Sequence, residues 1–280
     1  MGGTGIVLEV DGVSYRYGPE GPLALEDVHL SVSAGEFLAV TGANGSGKST
    51  LALLLDGLLV PTQGRVLVDG LNTADSSVRP VLRRRIGVVF QNPDNQIIAP
   101  SVEDDVAFGP ENLGVPADRI ADRVRWALDV VGMGLYRTTD PHALSGGQRQ
   151  RVAVAGVLAM DVPCLCFDEA TSLLDPVGRA EVLAAAAEVR RLGRTVVWIT
   201  HDMEEAAIAD RVVVLGGGVL RAVGSPRRIL ANEALLQRWG LEPPPAVAIA
   251  RRLRDGGMPV PAVHRRSELV RAVHSMLTRR

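Results

Sequence analysis

Two stretches near the start of the chain alternate apolar and polar residues with a period of two: IVLEVDGVSYRY (Ile6–Tyr17) and ALEDVHLSV (Ala24–Val32). This alternation predicts half-buried strands of an antiparallel sheet. The pattern then changes. EFLAVTG (Glu36–Gly42) is a short apolar run ending in glycine, and a helix is predicted to begin near Gly47 and run through LALLLDGLL. GRVLVDG (Gly64–Gly70) reads as a strand closing in an Asp-Gly turn, and IGVVF (Ile86–Phe90) as a buried strand.

From Pro93 to about Met133 no strand pattern is visible. ADRIADRVRWALDVVGM places Ile120, Val124, Ala127, Leu128 and Val131 on one stripe with arginines and aspartates opposite, which predicts a helical insertion. From Ser145 the chain alternates between the two types: SGGQRQRVAVAGVLAM, CLCFDE, VGRAEVLAAAAEVRRL, TVVWIT. Alternation of this kind predicts a parallel sheet covered by helices. RVVVLGGGVLRAVG (Arg211–Gly224) has the form of a hairpin, and the tail beyond Trp239 opens on Pro243–Pro245 and carries two short helical patterns.

Composition narrows this picture. With 280 residues, 46% hydrophobic and 22% charged, the chain can build a sizeable core, either as one large domain or as a core with an appendage. A net charge of -2 argues against a general polyanion binder, so no nucleic-acid partner is expected. Cys164 and Cys166 would share one face of a strand, an unsuitable geometry for a disulfide, and no Cys/His cluster accompanies them as a metal site. A reducing compartment is expected. No apolar run reaches the roughly 18 residues needed to span a bilayer. MGGTGIVLEVDG has neither a basic leader nor a long apolar segment, so no secretory signal is expected.

The charge inventory has one oddity. Lys48 is the only lysine among 30 basic residues; the rest are arginine. It lies in GANGSGKS (Gly42–Ser49), which fits G-x-x-x-x-G-K-[ST] between a predicted strand and a predicted helix. The glycines let successive backbone N–H groups turn inward around a phosphate at a positive helix end. Lys48 would reach the β- and γ-phosphates of a nucleotide, and the Ser49 hydroxyl would ligate Mg²⁺. An ammonium is compact enough for such a ring, whereas guanidinium is a broad fork. A chance match to this pattern is expected in on the order of 1% of average chains.

LSGGQ (Leu144–Gln148) is a second, independent signal, since it arises by chance in about one of several thousand such chains. CLCFDE then ends an apolar strand on Asp168 and Glu169. Asp168 suits the water shell of Mg²⁺, and Glu169 suits a general base toward a water attacking the γ-phosphate.

In order and spacing these motifs resemble the ATP-binding-cassette (ABC) ATPases over roughly Ile6 to Ala231. The resemblance implies a P-loop NTPase of α/β class. Its parts are a RecA-like parallel-sheet core, an N-terminal antiparallel β subdomain, a helical signature subdomain (about 93–155) and a short helical C-terminal extension. The cassette would span 1–235 and the extension 236–280. ATP and Mg²⁺ are the implied cofactors. Gly42, Asn44, Gly45, Ser46, Gly47, Lys48, Ser49 and Thr50 would surround the phosphates, with Tyr17 stacking on adenine. Gln91 would link nucleotide and metal to a transmembrane partner, and His201 would be the switch histidine on the γ-phosphate. Ser172–Asp175 would be the D-loop, with Asp175 near the nucleotide. Ser145, Gly146, Gly147 and Gln148 would cap ATP held by the opposite subunit, so the resemblance implies a head-to-tail dimer.

QNPDNQIIAPSVEDDVAFGPENLGVP (Gln91–Pro116) resembles, more narrowly, the ATPases of energy-coupling factor (ECF) transporters, which import vitamins and transition-metal ions. That resemblance implies a peripheral subunit on the cytoplasmic side of the cell membrane. Its partners would be a second ATPase, identical or paralogous, a transmembrane T component and a substrate-binding S component. Asp94 is the candidate acid for an arginine of the T component's coupling helix, with Gln96 beside it. The tail resembles the C-terminal extension of these ATPases, which can help hold two copies together. Ala170 departs from the proline common in the wider family and touches no catalytic position. The alternative is the ATPase of a binding-protein-dependent importer. Repair or ribosomal ABC proteins would need coiled coils or a second cassette, and a GTPase would need a second lysine in N-K-x-D. His29, His142, His264 and His274 have no ligand spacing, and Arg83–Arg85 read as a solvated or salt-bridged helix face.

Overall fold

The computed structural model of the chain describes residues 5–278. The first four residues of the stretch searched for a signal, Met1–Thr4, lie outside them. β1 (Ile6–Arg16) and β2 (Leu23–Ser33) pair antiparallel, as their alternation predicts. β3 (Phe37–Thr41) leads to α1 (Lys48–Leu55). This helix stops short of its apolar run. Gly57 takes φ 71°, and the N–H groups of Gly57 and Leu58 donate back to Leu54 and Leu53, a glycine-terminated helix end that peels Leu58 and Leu59 away. β4 (Gln63–Val68) lies antiparallel on the other side of β1, and β5 (Leu71–Asn72) completes a four-stranded sheet in the order β2-β1-β4-β5.

α2 (Arg79–Leu82) and β6 (Ile86–Val89) follow. Two of the three arginines between them are paired, Arg83 with the buried Asp56 and Arg85 with Asp69. The predicted helical insertion is α3 (Val102–Asn112) and α4 (Ala117–Val130), packed on α5 (Gly146–Met160). Val124, Ala127 and Leu128 of the α4 stripe, with Val131 just after it, are buried.

The remaining core elements are β7 (Cys164–Asp168), α6 (Pro176–Arg191), β8 (Thr195–Ile199), α7 (Met203–Ala206), β9 (Arg211–Gly216) and β10 (Val219–Gly224). Their four strands join β3 and β6 in a six-stranded sheet of order β10-β9-β3-β8-β7-β6. It is parallel except for β10, which returns from β9 through Gly217 and Gly218, both at positive φ.

Strands buried on both faces read as unbroken apolar runs. Successive residues still divide between two cores. Phe37, Ala39, Leu165, Phe167, Val196 and Trp198 face α5, α6 and the helical insertion. Leu38, Val40, Cys164, Cys166, Val197 and Ile199 face α1 and the antiparallel sheet. The two cysteines therefore do share a face; both are free thiols, and burial pushes Cys164 up to about 12.

α8 (Pro226–Leu230) and α9 (Glu233–Arg238) precede the two helices predicted in the tail, α10 (Pro245–Asp255) and α11 (Arg266–Leu277). α10 and α11 close over a small core of their own containing Ala246, Ala250 and Leu269. Trp239 ties the tail to the main sheet. Its ring lies so close to Gly216 that a Cβ there would come within 2.6 Å, and Arg221 stacks on it at 4.4 Å. Among the described residues no helix is long and apolar enough to cross a membrane. The adjacent parallel strands β3, β8 and β7 all end at one edge of the sheet, the edge where ligand crevices form in such folds.

Candidate functional site

β3 hands the chain to α1 through Gly42–Gly47, and two of its glycines are required by space. A Cβ on Gly42 would lie 2.3 Å from the Leu215 carbonyl and 2.4 Å from Ser46 Oγ. Gly47 stands at the N-cap of α1 with φ 101°, and a Cβ there would meet the Ala24 carbonyl at 2.5 Å. No side chain caps α1, so its first N–H groups remain free to receive an anion. Lys48 is only 5% exposed. Its Nζ donates to the carbonyls of Gly42 (2.9 Å) and Ala43 (3.1 Å) and lies 3.5 Å from Glu169 Oε1.

Neighbouring β7 delivers two carboxylates of unlike surroundings. Asp168 is 3% exposed, and burial raises it to about 6 against the opposing hydrogen bond from Ser49. Its Oδ1 is buried without a hydrogen-bond partner, and so is Ser46 Oγ. Glu169 adopts φ 48°, a left-handed conformation that costs a non-glycine residue about 1 kcal/mol or more. This turn aims its carboxylate at three groups. Gln91 Nε2 donates to Oε2 at 3.2 Å, His201 Nδ1 lies 3.3 Å from the same oxygen, and Lys48 faces Oε1.

Glu169 and the three groups around it, but neither the buried Asp168 nor Gly42, line one cavity of about 610 Å³. Tyr17, Asn44, Gly45, Ser46, Gly47, Lys48, Ser49, Thr50, Gln91, Glu169 and His201 all reach its wall. Tyr17 is an exposed ring at the rim, with its hydroxyl 3.1 Å from Thr50 Oγ1 and its edge set against Tyr15. Ala24, a lining residue, carried no signal in the sequence.

Ser145, Gly146, Gly147, Gln148 and Asp175 are not in this wall. Ser145 and Gln148 form a reciprocal capping box at the start of α5, and Asp175 caps α6 by accepting from Gly178 N at 2.7 Å. Gly147 approaches the Leu173 backbone, so signature and D-loop touch each other within the chain.

The segment after Gln91 forms a separate feature. Asn92, not Asp94, caps the turn that follows, accepting from Asp94 N. Gln96 is taken up within its own loop, accepting from Phe90 N and donating to the Val88 carbonyl. Asp94 is 61% exposed, and its Oδ1 lies 2.9 Å from Arg149 Nε, which has no aligned hydrogen-bond acceptor. With Ile97 and His142 this pair borders a groove of about 300 Å³.

The family model described as ABC transporter matches residues 25–172. Over 99% of both chains, this one is 52% identical to the energy-coupling factor transporter ATP-binding protein EcfA1 of Symbiobacterium thermophilum. Among solved structures it resembles cbiO1 of Clostridium perfringens, described as part of the ABC transporter complex cbiONQ. The TM-score is 0.72 and the identity 37%, covering 83% of this chain and 94% of that one. It also resembles a dimeric post-hydrolysis state of the ATP-binding cassette MJ0796 bound to ADP and Pi. There the TM-score is 0.73 and the identity 29%, over 78% and 98% of the two chains.

Proposed function

The chain belongs to the ABC transporter family, among the energy-coupling factor ATP-binding proteins, and from that premise we propose how its residues divide the work. It is the ATP-binding and ATP-hydrolysing subunit of an ECF-type importer of a vitamin or a transition-metal ion. It acts as one of a pair of ATPases, peripheral to the membrane on its cytoplasmic face, with T and S components completing the transporter. Residues 1–235 form the cassette and 236–280 an extension, and the small separate core of α10 and α11 supports that division.

The observation that carries the division of labour is the convergence of Lys48, Gln91 and His201 on the carboxylate of Glu169 at the mouth of a glycine loop. Lys48 and the free N–H groups of α1 hold the β- and γ-phosphates, and Tyr17 at the rim stacks on adenine. The donor set fits Mg²⁺: Asp168 keeps a buried oxygen without a protein partner, the Ser49 hydroxyl lies close enough to Asp168 to favour its charged form, and Gln91 lines the same cavity as Ser49. Mg²⁺ held by these residues would supply positive charge against the phosphate oxygens. Glu169 accepts the proton of the attacking water. Gln91 and His201 fix one of its oxygens, so the base is oriented before it is used.

Ser145–Gln148 lie outside their own chain's cavity, which supports their use on ATP bound by the second subunit of a head-to-tail pair. Asp94 serves the membrane side: an arginine on a helix of the T component pairs with it at the groove beside Arg149, with Gln96 keeping the loop in shape. Purification from mildly solubilised native membranes tests this. A multi-helix T component and a small S component accompany the wild type, and Asp94→Arg, which sets two guanidinium groups against the incoming arginine, loses both. Retention of both by the variant would refute the role of Asp94.

A further inference from the structure

Glu205, just below the switch histidine, is 2% exposed, yet every position around its carboxylate is taken. Oε1 accepts from Thr171 Oγ1 at 2.6 Å and pairs with Arg179 Nε at 2.8 Å. Oε2 accepts from Trp198 Nε1 at 3.0 Å and Thr200 Oγ1 at 2.6 Å. These partners come from three segments of the chain, with Trp198 and Thr200 together at the end of β8. Thr171 lies two residues beyond Glu169, Thr200 immediately precedes His201, Arg179 is on α6, and Trp198 is packed in the core against Phe37 and Phe167. On the far side of His201, Asp202 is held as well: its N–H donates to Thr200 Oγ1 and its carboxylate binds Arg179. Glu205, Thr171, Arg179 and Thr200 line a cavity of about 140 Å³ together with Glu169 and His201.

We infer that Glu205 is a positioning residue that fixes the segment carrying Glu169 and the segment carrying His201 to one core anchor, and so sets the distance between them. The inference rests on the roles of Glu169 and His201 proposed above. A carboxylate is the only side chain that suits this cage, because each of its oxygens faces one hydroxyl and one group that can only donate. In Glu205→Gln the amide NH₂ must face either the Arg179 guanidinium or the Trp198 N–H. Neither orientation satisfies both ends. The P-loop takes no part in the cage, so nucleotide binding is spared while the approach of base and switch is lost.

The test uses the full-length chain assembled with its membrane partners, in the variants Glu205→Gln, Thr171→Val and Thr200→Val, with Glu169→Gln in parallel. ATP turnover, ATP affinity, urea midpoint and backbone amide exchange are measured for each. Glu205→Gln is expected to lower kcat at least tenfold, and each valine variant about threefold, with Kd for ATP within twofold of wild type. Faster exchange is expected at 171–174 and 201–204 without a matching change in the P-loop. The valine substitutions keep side-chain volume, so they decide the matter if Glu205→Gln fails to fold. Folded valine variants with wild-type turnover beside an inert Glu169→Gln would overturn the cage alone, as would turnover and affinity falling together. Wild-type turnover by Glu169→Gln would instead overturn the reading of the base, and amide exchange would still decide whether the cage couples the two segments.

Discussion

Asp168→Asn should make the nucleotide-free protein more stable while weakening its response to Mg²⁺-ATP. Burial without a partner for Oδ1 raises the carboxyl from 3.8 to about 6. A shift of about 2 units corresponds to about 3 kcal/mol between the two protonation states. The sign follows from proton binding: between about pH 4 and about pH 6 the folded chain holds this proton more tightly than the unfolded chain. The contribution of Asp168 to stability therefore declines as pH rises through that window, and its full cost is present at pH 7.5. Asparagine keeps the shape and can accept the Ser49 hydrogen bond, but needs no charge buried. In urea unfolding with EDTA, the variant should exceed wild type by up to about 3 kcal/mol at pH 7.5 and match it near pH 4. Adding Mg²⁺-ATP should raise the wild-type midpoint by more than that of the variant, which keeps the phosphate loop but loses a carboxylate toward the metal. A variant no more stable than wild type at pH 7.5, or an advantage independent of pH, would refute the reasoning.

Two further outcomes are expected. Lys48→Arg should lower ATP hydrolysis by at least 100-fold, about 2.7 kcal/mol, because the guanidinium cannot occupy the space between the Gly42 and Ala43 carbonyls; steady-state ATPase assays check this. Gly216→Ala should destabilise the chain by about 1–3 kcal/mol, since its Cβ would enter the Trp239 ring. Limited proteolysis should then cut first in the Gly240–Pro245 connection; an unchanged urea midpoint and digestion pattern would show that Trp239 does not anchor the tail.

What the sequence disclosed follows from where the physics is local. Strands buried on both faces must be apolar throughout, so β3, β7 and β8 stand out. The phosphate loop stands out because backbone approach at Gly42 and Gly47 leaves room for no other residue. The end of α1 was missed because Gly57 lies within an apolar run, and one left-handed residue outweighs the pattern around it. Glu205 was invisible for a different reason. Its partners lie at positions 171, 179, 198 and 200, so only the tertiary fold explains an acid there. Asp94 was legible from the segment around it, but its contact with Arg149 was not, because that contact joins segments far apart in the chain.

Lys48 gives the chain an unusual chemical address. It carries the one lysine side chain in 280 residues, so a lysine-specific protease has a single bond to cut, between Lys48 and Ser49. In the folded chain that bond lies inside the phosphate loop at the start of α1, with the side chain turned under two carbonyls. Cleavage into two fragments would then clock how often this loop opens, and its slowing by ATP would measure occupancy with no label attached.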